Sequence, residues 1–144
     1  MEIRTTPEVE TLFSHYELLQ QQLDYRSIAK LYGNKIIAAG PYGIEFHSNN
    51  FVTRWQFEKS MRAFYHQAGL TSMRILRLHE NKISEQYSLV NISWSATFSK
   101  THSQPFEFHI SYLVRKRRHK AEIIMFIAHE DEKKVLQGYG ILTS

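Results

Sequence analysis

Apolar residues recur first at helical spacing and later at strand spacing. Val9, Leu12, Phe13, Tyr16, Leu19 and Leu23 follow one another at three- and four-residue intervals, the stripe of an amphipathic helix. Pro7 stands at its start, where a missing N–H costs nothing. Asp24 can cap a second, short helix, with Ile28, Leu31 and Tyr32 inward and Gly33 as its stop. A third stripe carries Phe57, Met61, Phe64, Tyr65 and Ala68 on one face. Thr53 and Gln56 have capping-box spacing before it, and Gly69 ends it.

The strand signals lie on either side of that third helix. Lys35 to Ala39 and Ile44 to His47 flank Gly40-Pro41-Tyr42-Gly43, in which proline fixes φ and glycine permits positive φ. Leu70 to His79 reads as a strand whose period wavers near Ile75-Leu76, the mark of a bulge. Glu80-Asn81-Lys82 reads as a tight connection. Ile83 to Phe98 then alternates, with Val90, Ile92, Trp94, Ala96 and Phe98 on one face and Asn91, Ser93, Ser95 and Thr97 on the other. The next strand sets Phe106, Phe108, Ile110, Tyr112 and Val114 opposite Glu107, His109 and Ser111. Ala121 to Ala128 is apolar on both faces, as in a strand covered from two sides. A short last helix is expected near residues 130–137, with acids in its first turn. Short polar turns between such strands predict an antiparallel sheet, with the helices on one face.

Composition adds bounds. A length of 144 residues predicts one domain, residues 1–144, and 42% apolar content is ordinary for a globular chain. There is no cysteine, so thiolate metal sites and disulfides are excluded and a reducing, cytoplasmic compartment is expected. Met1 to Glu10 lacks the apolar core of a signal peptide, and no apolar run is long enough for membrane insertion. Much of the net charge of +4 sits in Arg115-Lys116-Arg117-Arg118-His119-Lys120. Lying between two strands, this block reads as a solvated hairpin tip, not as a specific nucleic-acid site.

The order of elements resembles the nuclear transport factor 2-like, or SnoaL-like, superfamily. Two stretches carry the resemblance: Asp24 to Tyr32, an acidic cap and short helix ending in Leu-Tyr, and the Gly40 to Gly43 turn. The resemblance implies an α+β cone, a curved antiparallel sheet wrapped around N-terminal helices, as in cystatin-like folds. It also implies a pocket inside the cone. Ketosteroid isomerases within the superfamily use three groups. Tyr16 matches their oxyanion tyrosine in its spacing to Asp24. Their catalytic base falls at Gly40, which has no side chain. Their second, acidic donor lies on a late strand, and no Asp or Glu occurs from Phe108 to Ala121. One tyrosine cannot both take a carbon-bound proton and complete an oxyanion site, so that mechanism is not expected.

Other chemistry leaves little trace. Eight histidines are scattered without zinc-helix spacing, and no phosphate loop or nucleophile elbow is present. No metal and no cofactor are expected. The inward aromatic and thioether residues Tyr16, Phe57, Met61, Trp94, Phe108 and Tyr112 are the candidate pocket lining, with core packing as the simpler alternative. The expected function is binding of a small apolar molecule. One alternative is a cofactor-free isomerase, dehydratase or polyketide-cyclase-like enzyme with an unrecognised acid–base pair. Another is a protein-interaction module that uses the outer sheet face. A homodimer through that face is expected, because its Asn, Ser and Thr residues carry little charge to desolvate.

Overall fold

The computed structural model describes residues 5–101 and 105–138. Helix α1 (Pro7–Gln21) and helix α2 (Tyr25–Ala29) precede strands β1 (Tyr32–Gly40) and β2 (Gly43–Ser48). Helix α3 (Phe51–Ala68) follows, then strands β3 (Leu70–Lys82), β4 (Tyr87–Phe98), β5 (Pro105–Arg117) and β6 (Lys120–Ala128), and helix α4 (Glu132–Gly138). The six strands form one open sheet in the order β2-β1-β6-β5-β4-β3. β3 to β6 pair antiparallel, as the sequence predicts. The β1–β6 pair is parallel, so the sheet is mixed. Its cause is topological: β1 hairpins with β2 on one side and takes the last strand, β6, on the other, in place of β3.

Caps and alternation form these elements much as read. Asp24 accepts from the Ser27 N–H at 3.2 Å, and Gly69 closes α3 at φ 78°. Five inward residues of β4 (Val90, Ile92, Trp94, Ala96 and Phe98) are buried, and Trp94 has no exposed surface. They pack with Phe13 and Leu12 of α1, Ile28 of α2 and Tyr112 of β5 to form the core. The expected bulge in β3 falls between Ile75 and Arg77.

Five readings are corrected. α3 begins earlier than Thr53, because Asn50 is its cap and accepts from the Thr53 N–H at 2.9 Å. Gly33 does not stop α2 but lies within β1. Glu80-Asn81-Lys82 is strand, and the turn falls at residues 83–86, where the Ser84 hydroxyl accepts from the N–H groups of Gln86 and Tyr87. α4 starts at Glu132, because the Asp131 carboxylate takes the Lys134 N–H at 3.2 Å and Glu130 turns back to the sheet. The outer side of β6 is not covered: Met125 is only partly buried and Ile127 is exposed.

The basic block is also less solvated than expected. Lys116 is largely buried and reaches the Glu80 carboxylate at 3.6 Å, and Arg115 meets Glu122 at 3.0 Å. Glu80 is itself buried and accepts from the Thr6 N–H at 2.6 Å and the Ser88 hydroxyl at 2.5 Å. Burial alone would raise this carboxyl's pKa, but the donors outweigh it and hold the pKa below the ordinary glutamate value. One carboxylate thereby ties the start of α1 to β3, β4 and β5.

Candidate functional site

A cleft opens between α3 and the β1–β2 hairpin, with a volume of about 360 Å³. Strand alternation builds one wall: Ile36 pairs with His47 and Ala38 with Glu45, so all four face α3. Thr53, Gln56, Phe57 and Ser60, at helical spacing on α3, make the other wall. Tyr32 and Phe126 also line it. Asn49 fixes the corner between hairpin and helix by donating to the carbonyls of Ala29 at 2.9 Å and Tyr32 at 3.0 Å. Polar side chains line the cleft too, but most of the accessible wall is apolar, and Glu45 and His47 are paired with each other at 2.9 Å.

Behind Tyr32 lies a closed aromatic cluster. The Tyr16 and Tyr32 hydroxyls are 2.8 Å apart, and Trp94 Nε1 donates to Tyr112 Oη at 3.0 Å. The Tyr16 ring stands 5.5 Å from Trp94 and 6.0 Å from Tyr112, centre to centre. Burial, its largest cause, raises the pKa of all three phenols, so they are neutral donors at any ordinary pH. The expected pocket set is therefore divided. Phe57 lines the cleft. Met61 packs partly buried against the core. Tyr16, Trp94, Phe108 and Tyr112 are buried in the core, where the Tyr16 hydroxyl is satisfied by Tyr32 and the Trp94 N–H by Tyr112. Tyr32 lines the cleft and bonds to Tyr16, a role that its position after a short helix did not reveal.

The Tyr42 ring leans over Gly40: a Cβ there would come within 2.7 Å of it, so the half-exposed ring would have to move. An acid does approach the phenols from elsewhere. Glu132 of α4 accepts from Tyr65 Oη at 3.2 Å, and its charge is felt at Tyr16 and Tyr112. Burial raises its pKa to about 7, the Tyr65 hydrogen bond opposes the rise and nearby Glu130 adds to it. The sequence showed Glu132 only as one of several acids opening a helix.

Neither a protein-family model nor a curated protein sequence matches the chain. Solved structures do. A nuclear transport factor 2-like protein of unknown function from Shewanella oneidensis superposes with TM-score 0.64 at 13% identity, over 85% of this chain and 97% of that one. The chain has the nuclear transport factor 2-like fold. A protein of unknown function with a cystatin-like fold from Nostoc punctiforme gives TM-score 0.63 at 12% identity, over 92% and 96% of the two chains. A ketosteroid isomerase-like protein from Erwinia carotovora gives 0.58 at 10%, over 87% and 95%. Within the nuclear transport factor 2-like fold, the cleft of this chain lies on the helix-covered side of the sheet.

The opposite, outer side of this nuclear transport factor 2-like sheet has two zones. Toward β3 it is polar: Ser111 Oγ lies 2.6 Å from Asn91 Oδ1 and 2.8 Å from His129 Nε2, His109 Nδ1 lies 2.5 Å from Glu130, and Arg77 pairs with Glu107. Among the described residues no three His, Asp or Glu side chains form a metal set. Toward β2 the face is apolar. Register places Phe46 beside Ile37, Ile37 beside Met125, Met125 beside Leu113 and Leu113 beside Leu89. Phe46 is 76% exposed and Ile44 is 65% exposed. No helix among the described residues is long and apolar enough to cross a membrane.

Proposed function

We propose that the chain binds a small apolar molecule in the cleft between α3 and the β1–β2 hairpin, without ketosteroid isomerase chemistry. The observation that carries this reading is the cleft itself: a preformed hollow whose accessible wall is mainly apolar, with Ile36, Ala38, Phe57 and Phe126 in it, and whose polar side chains, Glu45, His47, Thr53 and Gln56 among them, can set orientation. Gly40 argues against the isomerase mechanism, since the position that the resemblance gives to the base has no side chain to take a proton. Titration with a neutral fluorescent apolar probe, Nile red, tests it. Saturable one-site binding is expected, and Ser60→Trp, which fills the cleft from the solvent side of the core, should weaken it at least tenfold. Probe binding unchanged by Ser60→Trp, or turnover of a ketosteroid by the wild type, would remove this reading.

One observation favours a second reading. Glu132, with a pKa of about 7 beside Tyr65, has the protonation behaviour of a general acid–base group. An isomerase- or dehydratase-like activity would use it, provided substrate can reach the phenol cluster. Loss of such an activity in Glu132→Gln with the fold intact is its test. The apolar zone of the outer sheet face supports a homodimer as the working state, and the cysteine-free composition supports a cytoplasmic setting.

A further inference from the structure

A second groove, of about 550 Å³, lies away from the cleft, between the α1–α2 corner and the C-terminal half of α3. Leu23, Ala63 and Leu70 supply apolar lining. Lys59, Arg62 and His66, spaced to share one side of α3, supply cations. Tyr25 also lines the groove, and it is only 2% exposed. Its hydroxyl has no hydrogen-bond partner, an unusual state for a buried phenol. The Arg62 guanidinium stands over the same ring, 5.9 Å from its centre. Leu23 holds φ 57°, a costly angle for leucine, and still presents its side chain to this groove with 43% of its surface exposed.

The neighbouring acids leave room for an anion. Glu58 is bonded to Arg26 at 2.9 Å and touches Arg62 only at 4.0 Å. Glu132, behind Tyr65, is partly protonated near neutral pH. Lys59 lies over the exposed Trp55 ring, and the His66 side chain stands exposed on the same side of the helix. Guanidinium and ammonium groups favour a carboxylate, and a phenol O–H can donate to one of its oxygens. A bare inorganic anion would leave Leu23, Ala63 and Leu70 unused.

We propose that this groove binds a small organic acid, its carboxylate held by Arg62, Lys59 and the Tyr25 hydroxyl and its apolar body laid on Leu23, Ala63 and Leu70. The site is separate from the cleft of the proposed function, and either can fail without the other. The test is an NMR titration of the full chain with octanoate, octanol and inorganic phosphate, followed at the amides of Leu23, Lys59, Arg62, His66 and Gly69. Octanoate should give saturable shifts there, with octanol and phosphate at least tenfold weaker. Arg62→Ser should weaken octanoate at least tenfold, and Tyr25→Phe at least threefold. Tyr25→Phe removes a hydroxyl that bonds to nothing, so the free variant should melt no lower than the wild type. Octanoate no tighter than octanol, no saturation at these amides, or undiminished octanoate binding by well-folded Tyr25→Phe would each overturn the proposal.

Discussion

Glu132 carries a carboxyl whose two protonation states fit the fold unequally. Its pKa is about 7 in the folded chain, against about 4.3 for a free glutamate. Below about pH 4.3 both states hold the proton and the group adds no pH dependence. As pH rises toward 7 the unfolded chain releases that proton while the folded chain retains it. Stability contributed by the buried neutral acid is therefore lost between those values and gone above them, an effect of about 1–3 kcal/mol. Glu80 and Asp24 act with the opposite sign, since hydrogen bonds hold their folded pKa values below the ordinary range and their contribution is lost as pH falls. The difference between wild type and Glu132→Gln isolates the first effect. Urea midpoints should fall from pH 5 to pH 8 in the wild type more steeply than in the variant. Equal slopes would mean that Glu132 is already ionised in the fold. Neither Glu132 nor Glu80 was legible as special, because each stands among polar residues that read as turn or helix start. Their burial comes from partners far along the chain: Tyr65 for one, and Thr6 and Lys116 for the other.

At the scale of elements, periodicity read well wherever one face meets the core and the other meets water. β4 alternates cleanly, and every inward residue assigned to it from Val90 to Phe98 is buried. Reading failed at ends, where two chemistries compete. Asn50 and Thr53 are both good caps, and only the path of the chain from β2 chose between them. The β5–β6 hairpin shows what such an end costs. Arg117 and Lys120 pair across a two-residue loop, and Arg118 and His119 take φ 43° and 67°. Both angles lie in the left-handed region, where a side chain is unfavourable and Asn-Gly is preferred. Arg118→Asn with His119→Gly should raise stability by about 0.5–1.5 kcal/mol in chemical denaturation. A fall would show that these side chains make contacts worth more than the strain. Within the same basic block, Lys116→Ser should cost about 1–3 kcal/mol by removing the cation beside Glu80, which keeps its Thr6 and Ser88 donors, and Arg117→Ser under about 0.5. Similar costs at both positions would contradict the buried pair.

At the scale of the whole molecule, an open sheet with helices on one side leaves its other side to be explained. In the sequence the outer face of β4 and β5 looks polar, because those two strands supply Asn91, Ser93, His109 and Ser111. Pairing order is not written in local pattern, and the parallel β1–β6 contact is what aligns Phe46, Ile37, Met125, Leu113 and Leu89 into one apolar band. Those residues come from five strands, so no stretch of sequence displayed them together. The band ends on β2, an edge strand with every residue exposed and two large apolar side chains uncovered. Exposed edges of this kind pair with other chains unless something covers them. A second copy is the simplest cover, since a two-fold axis would set one apolar band on the other and keep the charged zone toward β3 at the rim. Analytical ultracentrifugation at 10–100 µM, a range of about the strength expected for a modest interface, should then show a dimer. Phe46→Glu would put a charge in the band at a position that the fold does not bury. It should yield a monomer with unchanged circular dichroism and an unchanged melting transition at low concentration. A wild type that stays monomeric throughout that range would leave the band without a partner copy and turn attention to a different protein as its cover.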